Sequence, residues 1–153
     1  MEDNEVENLI KKEFETIKNE PFPSMGISIG KNENNYFSWK ITLFGPDDSI
    51  YANGIYELTI DFSKEYPKRH PIVKFTTKIY HCNISDEGDI DIPSLVNWKE
   101  TNTMNLVLSD IFSLFYEQYP KDKNNPIYHE YVFDRNSFDK KVREYVEKYA
   151  HPY

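Results

Sequence analysis

Phe37-Ser38-Trp39-Lys40-Ile41-Thr42-Leu43 and, beyond a turn region between Gly45 and Gly54, Tyr56-Glu57-Leu58-Thr59-Ile60-Asp61-Phe62 decide the fold, because apolar and polar residues alternate strictly in both runs. Successive side chains of a strand point to opposite faces, so a period of two marks a sheet buried on one side. Phe37, Trp39, Ile41 and Leu43 share one face, and Tyr56, Leu58, Ile60 and Phe62 repeat the pattern. Ile72-Val73-Lys74-Phe75, after Pro71, predicts a further strand, and residues 26–30 a weaker first one. The expectation is a four-stranded antiparallel meander.

On the N-terminal side, Val6, Leu9, Ile10, Phe14 and Ile17 recur at helical spacing, with Glu and Lys on the other face. This helix is expected to stop before Pro21 and Pro23. On the C-terminal side, residues 77–103 hold no sustained period but contain Gly88 and Pro93. A loop that long inside a compact domain is usually functional. Leu106, Val107, Leu108, Ile111, Phe112, Leu114 and Phe115 then predict a helix apolar nearly all round, hence central and buried. Residues 127–133, after Pro120 and Pro126, show no clear pattern. Phe138, Val142, Tyr145, Val146 and Tyr149 form the stripe of a last helix, with Asn136 or Ser137 as its candidate N-cap. Helix, strands, long loop and helices in that order predict an α+β fold, read as a single domain over residues 1–153.

Composition narrows the function. Hydrophobic residues at 39% and aromatics at 16% suffice for a sizeable core. A net charge of −8 opposes broad electrostatic binding to nucleic acid or anionic membrane, so neither is an expected partner. The lone cysteine, Cys82, forbids an intrachain disulfide and fits a reducing compartment. The opening Met1-Glu2-Asp3-Asn4-Glu5 is unlike a targeting segment, and no apolar run approaches the roughly 20 residues that span a bilayer. A cytoplasmic or nuclear protein is expected, in which the sequon Asn83-Ile84-Ser85 goes unglycosylated.

Several further stretches fall in register with one family. They are Trp39-Lys40-Ile41 with Gly45-Pro46 and Ser49-Ile50-Tyr51, then Gly54-Ile55-Tyr56-Glu57-Leu58, then Tyr66-Pro67 with Pro71. Phe75-Thr76-Thr77-Lys78-Ile79-Tyr80-His81, Asn83-Ile84, Gly88-Asp89-Ile90, Trp98, Val107-Leu108-Ser109 and Lys148-Tyr149-Ala150 continue the order. Taken together the chain resembles the ubiquitin-conjugating enzymes over almost its whole length. The resemblance implies that fold, with an N-terminal helix and C-terminal helices around the meander.

The family's chemistry uses a cysteine that accepts ubiquitin as a thioester, a task suited to a thiolate's nucleophilicity. Members carry it in Gly-x-Ile-Cys-Leu, shortly after His-Pro-Asn. Here the matching segment reads Gly88-Asp89-Ile90-Asp91-Ile92, and the register from His81 through Asn83 and Gly88 needs no gap. Asp91 therefore stands where the resemblance implies the catalytic cysteine. A carboxylate attacking a thioester gives a mixed anhydride, which water destroys, so no ordinary catalytic residue is expected. Cys82, in place of the triplet's proline, is the alternative nucleophile, but the acidic run at residues 86–91 opposes a thiolate there. By resemblance Asn83 holds the position of the residue that stabilises the oxyanion, now vestigial, and His81 is read as structural. Pro93 replaces an acidic residue common in active members.

The resemblance implies a non-catalytic member acting as adaptor or cofactor in a ubiquitin or ubiquitin-like pathway. Its expected partners are an active ubiquitin-conjugating enzyme, ubiquitin or a ubiquitin-like protein. Variants of the family that lack the cysteine are the nearest comparison, although they often lack the C-terminal helices predicted here. The alternatives are an active enzyme using Cys82 and a peptide-binding module on the same fold. Partner-facing positions depart too. Asn8 and Leu9 are not basic where active members meet the activating enzyme, though Lys11 and Lys12 remain. Lys68 and Lys99-Glu100-Thr101 replace the phenylalanine and the Ser-Pro-Ala of many members that work with RING-type ligases.

No cofactor or metal site is expected. His129-Glu130 begins a zinc-binding helix motif, but its second histidine position is Phe133. The acidic loop from Asp86 to Asp91 lacks calcium-loop spacing, and no phosphate-binding glycine loop is present.

Overall fold

The computed structural model of the protein describes residues 2–19 and 27–151. Pro21, Pro23 and Gly26, on which two of the boundary expectations rest, lie outside the described residues. The element order is α1 (Asp3–Asn19), β1 (Ile27–Asn32), β2 (Asn35–Phe44), β3 (Ile55–Asp61), β4 (Ile72–Phe75), α2 (Pro93–Val96), α3 (Met104–Ser113), α4 (Pro126–Phe133) and α5 (Arg135–Tyr149). The strands form one antiparallel sheet in the order β1-β2-β3-β4, the predicted α+β meander with an N-terminal helix and C-terminal helices.

The period-two runs set the register. Trp39 pairs with Ile60, Ile41 with Leu58 and Leu43 with Tyr56, so the apolar residues of β2 and β3 meet on one face. All six are buried, each fully buried aliphatic side chain adding about 1.5–3 kcal/mol. On the other face Lys40 and Glu57 form an exposed ion pair at 3.5 Å. Helix α1 lies across the inner face through Val6, Ile10, Phe14 and Ile17, which are all buried. Phe14 meets Trp39 edge-on with ring centres 5.5 Å apart.

The turn between β2 and β3 is closed by Gly45 N–H donating to the Gly54 carbonyl at 2.8 Å. Arg143 of α5 ties it down from outside, donating to the carbonyls of Ile50 at 3.0 Å and Ala52 at 2.8 Å. This clamp fixes the position of the last helix against the sheet.

Three helical expectations are corrected. Residues 127–133 form α4, where the sequence showed no clear pattern. Asn125 caps it by accepting from the N–H groups of Ile127 and Tyr128, and Pro126 occupies the first turn, where a missing N–H costs nothing. The α5 cap is Asp134, whose carboxylate accepts from Ser137 N–H at 3.3 Å, and neither Asn136 nor Ser137. Helix α3 buries Val107, Leu108 and Ile111, but Leu106 is 44% exposed and Phe112 only partly covered, so one side of it faces solvent. Within residues 77–103 a single turn of helix, α2, starts at Pro93, and the remainder is irregular.

Candidate functional site

The segment from Tyr80 to Ile92 wraps over the end of α3, and buried polar contacts hold it there. His81 is fully buried. Its Nδ1 accepts the Asn83 N–H at 2.9 Å, so the ring proton sits on Nε2, which donates to the carbonyls of Leu114 at 2.6 Å and Glu117 at 2.8 Å. Burial disfavours the imidazolium and lowers the pKa to about 4, outweighing the two carbonyls that would raise it. His81 is thus neutral near pH 7 and stitches the turn to the end of α3.

Asn83 is likewise buried, and both ends of its amide are engaged. Nδ2 donates to the carbonyls of Asp91 at 2.8 Å and Tyr119 at 3.1 Å, while Oδ1 accepts the Tyr119 N–H at 3.0 Å. The Asn83 carbonyl accepts the Asp91 N–H at 2.8 Å. These bonds clamp the 81–84 turn, the Asp91 backbone and the 117–121 segment into one unit.

Gly88 shapes the approach to Asp91. Its φ is +91°, and a Cβ there would stand 2.0 Å from the Phe75 carbonyl oxygen. Only glycine fits, because the loop lies directly on the edge of β4. Phe75 N–H donates to the Gly88 carbonyl at 3.0 Å, and Lys74 pairs with Asp89 at 3.4 Å.

Asp91 is partly exposed, at the rim of a hollow of about 220 Å³ shared with Pro93, Val96, Asn97, Tyr119 and Lys121. Its Oδ2 accepts the Lys121 backbone N–H at 2.8 Å. Pro93 opens α2, so its missing donor disrupts nothing.

Cys82 is buried at 6% exposure. Burial pushes its thiol up to about 12, with Asp91 adding to the rise and Lys123 only partly opposing it. Its Sγ contacts Asn83 Oδ1 at 3.4 Å, its N–H donates to Gln118 Oε1 at 2.9 Å, and its carbonyl accepts from Asn125 Nδ2 at 3.1 Å.

The structure therefore brings together His81, Cys82, Asn83 and Asp91, the four positions singled out by sequence. It adds Gln118, Tyr119, Lys121 and Asn125, which the sequence reading missed. They lie roughly 30 to 40 positions downstream and carry no motif, and only the Asn125-Pro126 capping pair was a readable signal. His129 packs on Phe133 with ring centres 4.6 Å apart. Among the described residues, no group of three or more His, Cys, Asp or Glu side chains is placed to hold a metal ion, and no helix is long and apolar enough to cross a membrane.

Comparison with known proteins bears on this geometry. Residues 9–146 match the family model described as ubiquitin-conjugating enzyme. The chain is also 35% identical over 144 residues to the protein named ubiquitin-conjugating enzyme E2 14 of Schizosaccharomyces pombe, an alignment covering 92% of each chain.

Proposed function

The chain belongs to the ubiquitin-conjugating enzyme family, and from that premise we propose that it serves a ubiquitin or ubiquitin-like pathway by binding rather than by carrying a thioester. The reading is carried by Asp91, which the sequence register sets at the family's thioester position and whose carboxylate accepts the Lys121 amide N–H. Were it to attack a ubiquitin thioester, the acyl group would pass to oxygen as a mixed anhydride while the thiolate left. That product is higher in energy than the thioester and is open to water.

The reading also draws on Cys82. The chain's only thiol is buried and held protonated, so the rival reading of a displaced nucleophile needs the 81–84 turn to open. Asn83 supports the binding reading too. Its amide is fully used in holding backbone, which keeps the fold around a site without a nucleophile. In this proposal the partner is an active conjugating enzyme, ubiquitin or a ubiquitin-like protein.

The test mixes the protein with activating enzyme, ATP and ubiquitin, with an active family member loading in parallel, followed by non-reducing mass analysis. No thiol-sensitive adduct is expected, from the wild type or from Cys82→Ser. An adduct present in the wild type and lost in Cys82→Ser makes the protein an enzyme and ends the proposal. A pull-down against the active member and ubiquitin should give a saturable complex with one of them, and failure of both counts equally against it.

A further inference from the structure

Asn53-Gly54, in the turn between β2 and β3, is the chain's one Asn-Gly pair. Glycine has no side chain to shield its amide, so its nitrogen reaches the carboxamide carbon of a preceding asparagine more readily than any other residue's does. Ring closure there expels ammonia and leaves a five-membered succinimide. The Asn53 side chain is exposed, so water has access to it.

The fold holds this pair away from that reaction. Asn53 has a φ of +71°, the one positive φ outside glycine among the described residues. The Gly54 N–H donates to the Tyr51 carbonyl at 3.1 Å and closes a β-turn with Asn53 in its third place, where asparagine is tolerated. The nitrogen that would attack is therefore committed to Tyr51, and deprotonating it breaks that bond. Helix α5 grips both flanks of the pair. Arg143 donates to the carbonyls of Ala52 at 2.8 Å and Ile50 at 3.0 Å, and the Ala150 carbonyl accepts the Ile55 N–H at 2.8 Å. There is no slack beside it, since a Cβ on Gly54 would stand 2.6 Å from the Tyr56 ring.

We propose that Asn53 is a site of spontaneous deamidation gated by α5, so that undocking of this helix starts an irreversible change in the turn. When the turn opens, the Gly54 nitrogen bonds to Asn53 Cγ while the bond from Cγ to Nδ2 breaks. The proton lost by the nitrogen is balanced by the one that the departing ammonia gains. Water then opens the succinimide at either carbonyl. Opening at Cγ gives aspartate on an unchanged main chain. Opening at the former main-chain carbonyl gives isoaspartate, whose main chain runs through Cβ and Cγ and is longer by a methylene. The longer turn does not fit between Tyr56 and α5, so the grip on Ile55 is not restored. The proposal stands whether or not the chain carries a thioester.

The test holds the full chain in mildly alkaline buffer, native or in urea, and follows Asn53 by peptide mapping and isoaspartyl methyltransferase labelling. In urea Asn53 should deamidate first among the asparagines. In the native chain it should react at least about tenfold more slowly, because the reactive state is a local opening. Arg143→Ala should recover most of that difference, and Arg143→Lys, which loses the guanidinium fork, should lie between. Val6→Ala, at a buried position of α1, controls for a general loss of stability. With urea added until its global stability equals that of Arg143→Ala, it should still deamidate more slowly. In the purified isoaspartyl form the Ile55 amide should exchange at least about tenfold faster than in the wild type. Asn53→Asp, with the same charge on a main chain of normal length, should exchange near the wild-type rate. Equal rates in native and urea-treated chains, no reaction at Asn53 in urea, or equal acceleration in the matched Val6→Ala overturns the proposal. So does an isoaspartyl form whose Ile55 amide stays protected.

Discussion

The Asp91 carboxylate accepts the backbone N–H of Lys121 at 2.8 Å, so this side chain fastens the 117–121 segment to the loop that carries it. A cysteine there has no comparable acceptor. Asp91→Ala should cost about 1 kcal/mol, the net worth of one such bond at a partly exposed site. Asp91→Asn keeps an acceptor and should lose less. In hydrogen exchange the Lys121 amide should open roughly fivefold more readily in Asp91→Ala. An unchanged exchange rate would mean that the bond does not hold the segment.

The burial of Cys82 makes a kinetic prediction. With its thiol pushed up to about 12, native protein at pH 8 should react with iodoacetamide roughly a thousandfold more slowly than an exposed cysteine. Denatured protein should react at the ordinary rate. Adding Asp91→Cys should create one fast-reacting thiol per chain while leaving the slow one in place. Comparable rates in native and denatured wild type would show that Cys82 is accessible, which is what the displaced-nucleophile reading requires.

What the sequence made legible and what it did not divide along a physical line. β2, β3 and the buried face of α1 were readable because burial on one side imposes a period, which the Trp39–Leu43 and Tyr56–Phe62 runs keep. Helix α4 hid because it buries no residue completely and so shows no stripe, its start being fixed instead by the Asn125 cap. Leu106 misled the reading of α3, since an apolar residue carries no mark of the face it occupies. At the site, the positions of His81, Asn83 and Asp91 were legible from spacing, but their partners were not. The contacts of Asn83 to Tyr119 and of Asp91 to Lys121 join positions far apart in the chain, and only the packed backbone brings them together.

His81 supplies a pH dependence whose sign follows from its burial. The folded pKa of about 4 lies below the unfolded value near 6.5, so between them the unfolded chain binds a proton that the folded one refuses. Stability from this site is therefore complete above about pH 6.5, rises with pH across the window, and is lost as pH falls toward 4. The full difference is worth about 3 kcal/mol. By NMR the His81 ring should keep its Nε2–H form, with unchanged shifts, from pH 7 to pH 5. A titration midpoint near 6.5 in the folded protein would contradict the buried geometry.

Glu13 joins three parts of the fold. From α1 it accepts the Met104 N–H at the start of α3 at 2.8 Å with Oε1 and the Tyr66 hydroxyl with Oε2. Burial raises its pKa above the usual carboxylate value, and the bonds to Tyr66 and Met104 only partly offset that rise. Tyr66 and Met104 are themselves buried, so Glu13→Ala strands two donors and should cost about 2–4 kcal/mol. Glu13→Gln retains an oxygen for Met104, can donate to the Tyr66 oxygen, and removes the buried charge, so its cost should be about 1 kcal/mol or less. A carboxyl whose folded pKa is raised binds its proton more tightly in the folded state, and the wild type should therefore gain on Glu13→Gln as pH falls through that window. Urea unfolding of both proteins at pH 7 and pH 5 reads the difference directly. A gap that moves the other way would mean that the hydrogen bonds to the carboxylate, and not its burial, govern Glu13.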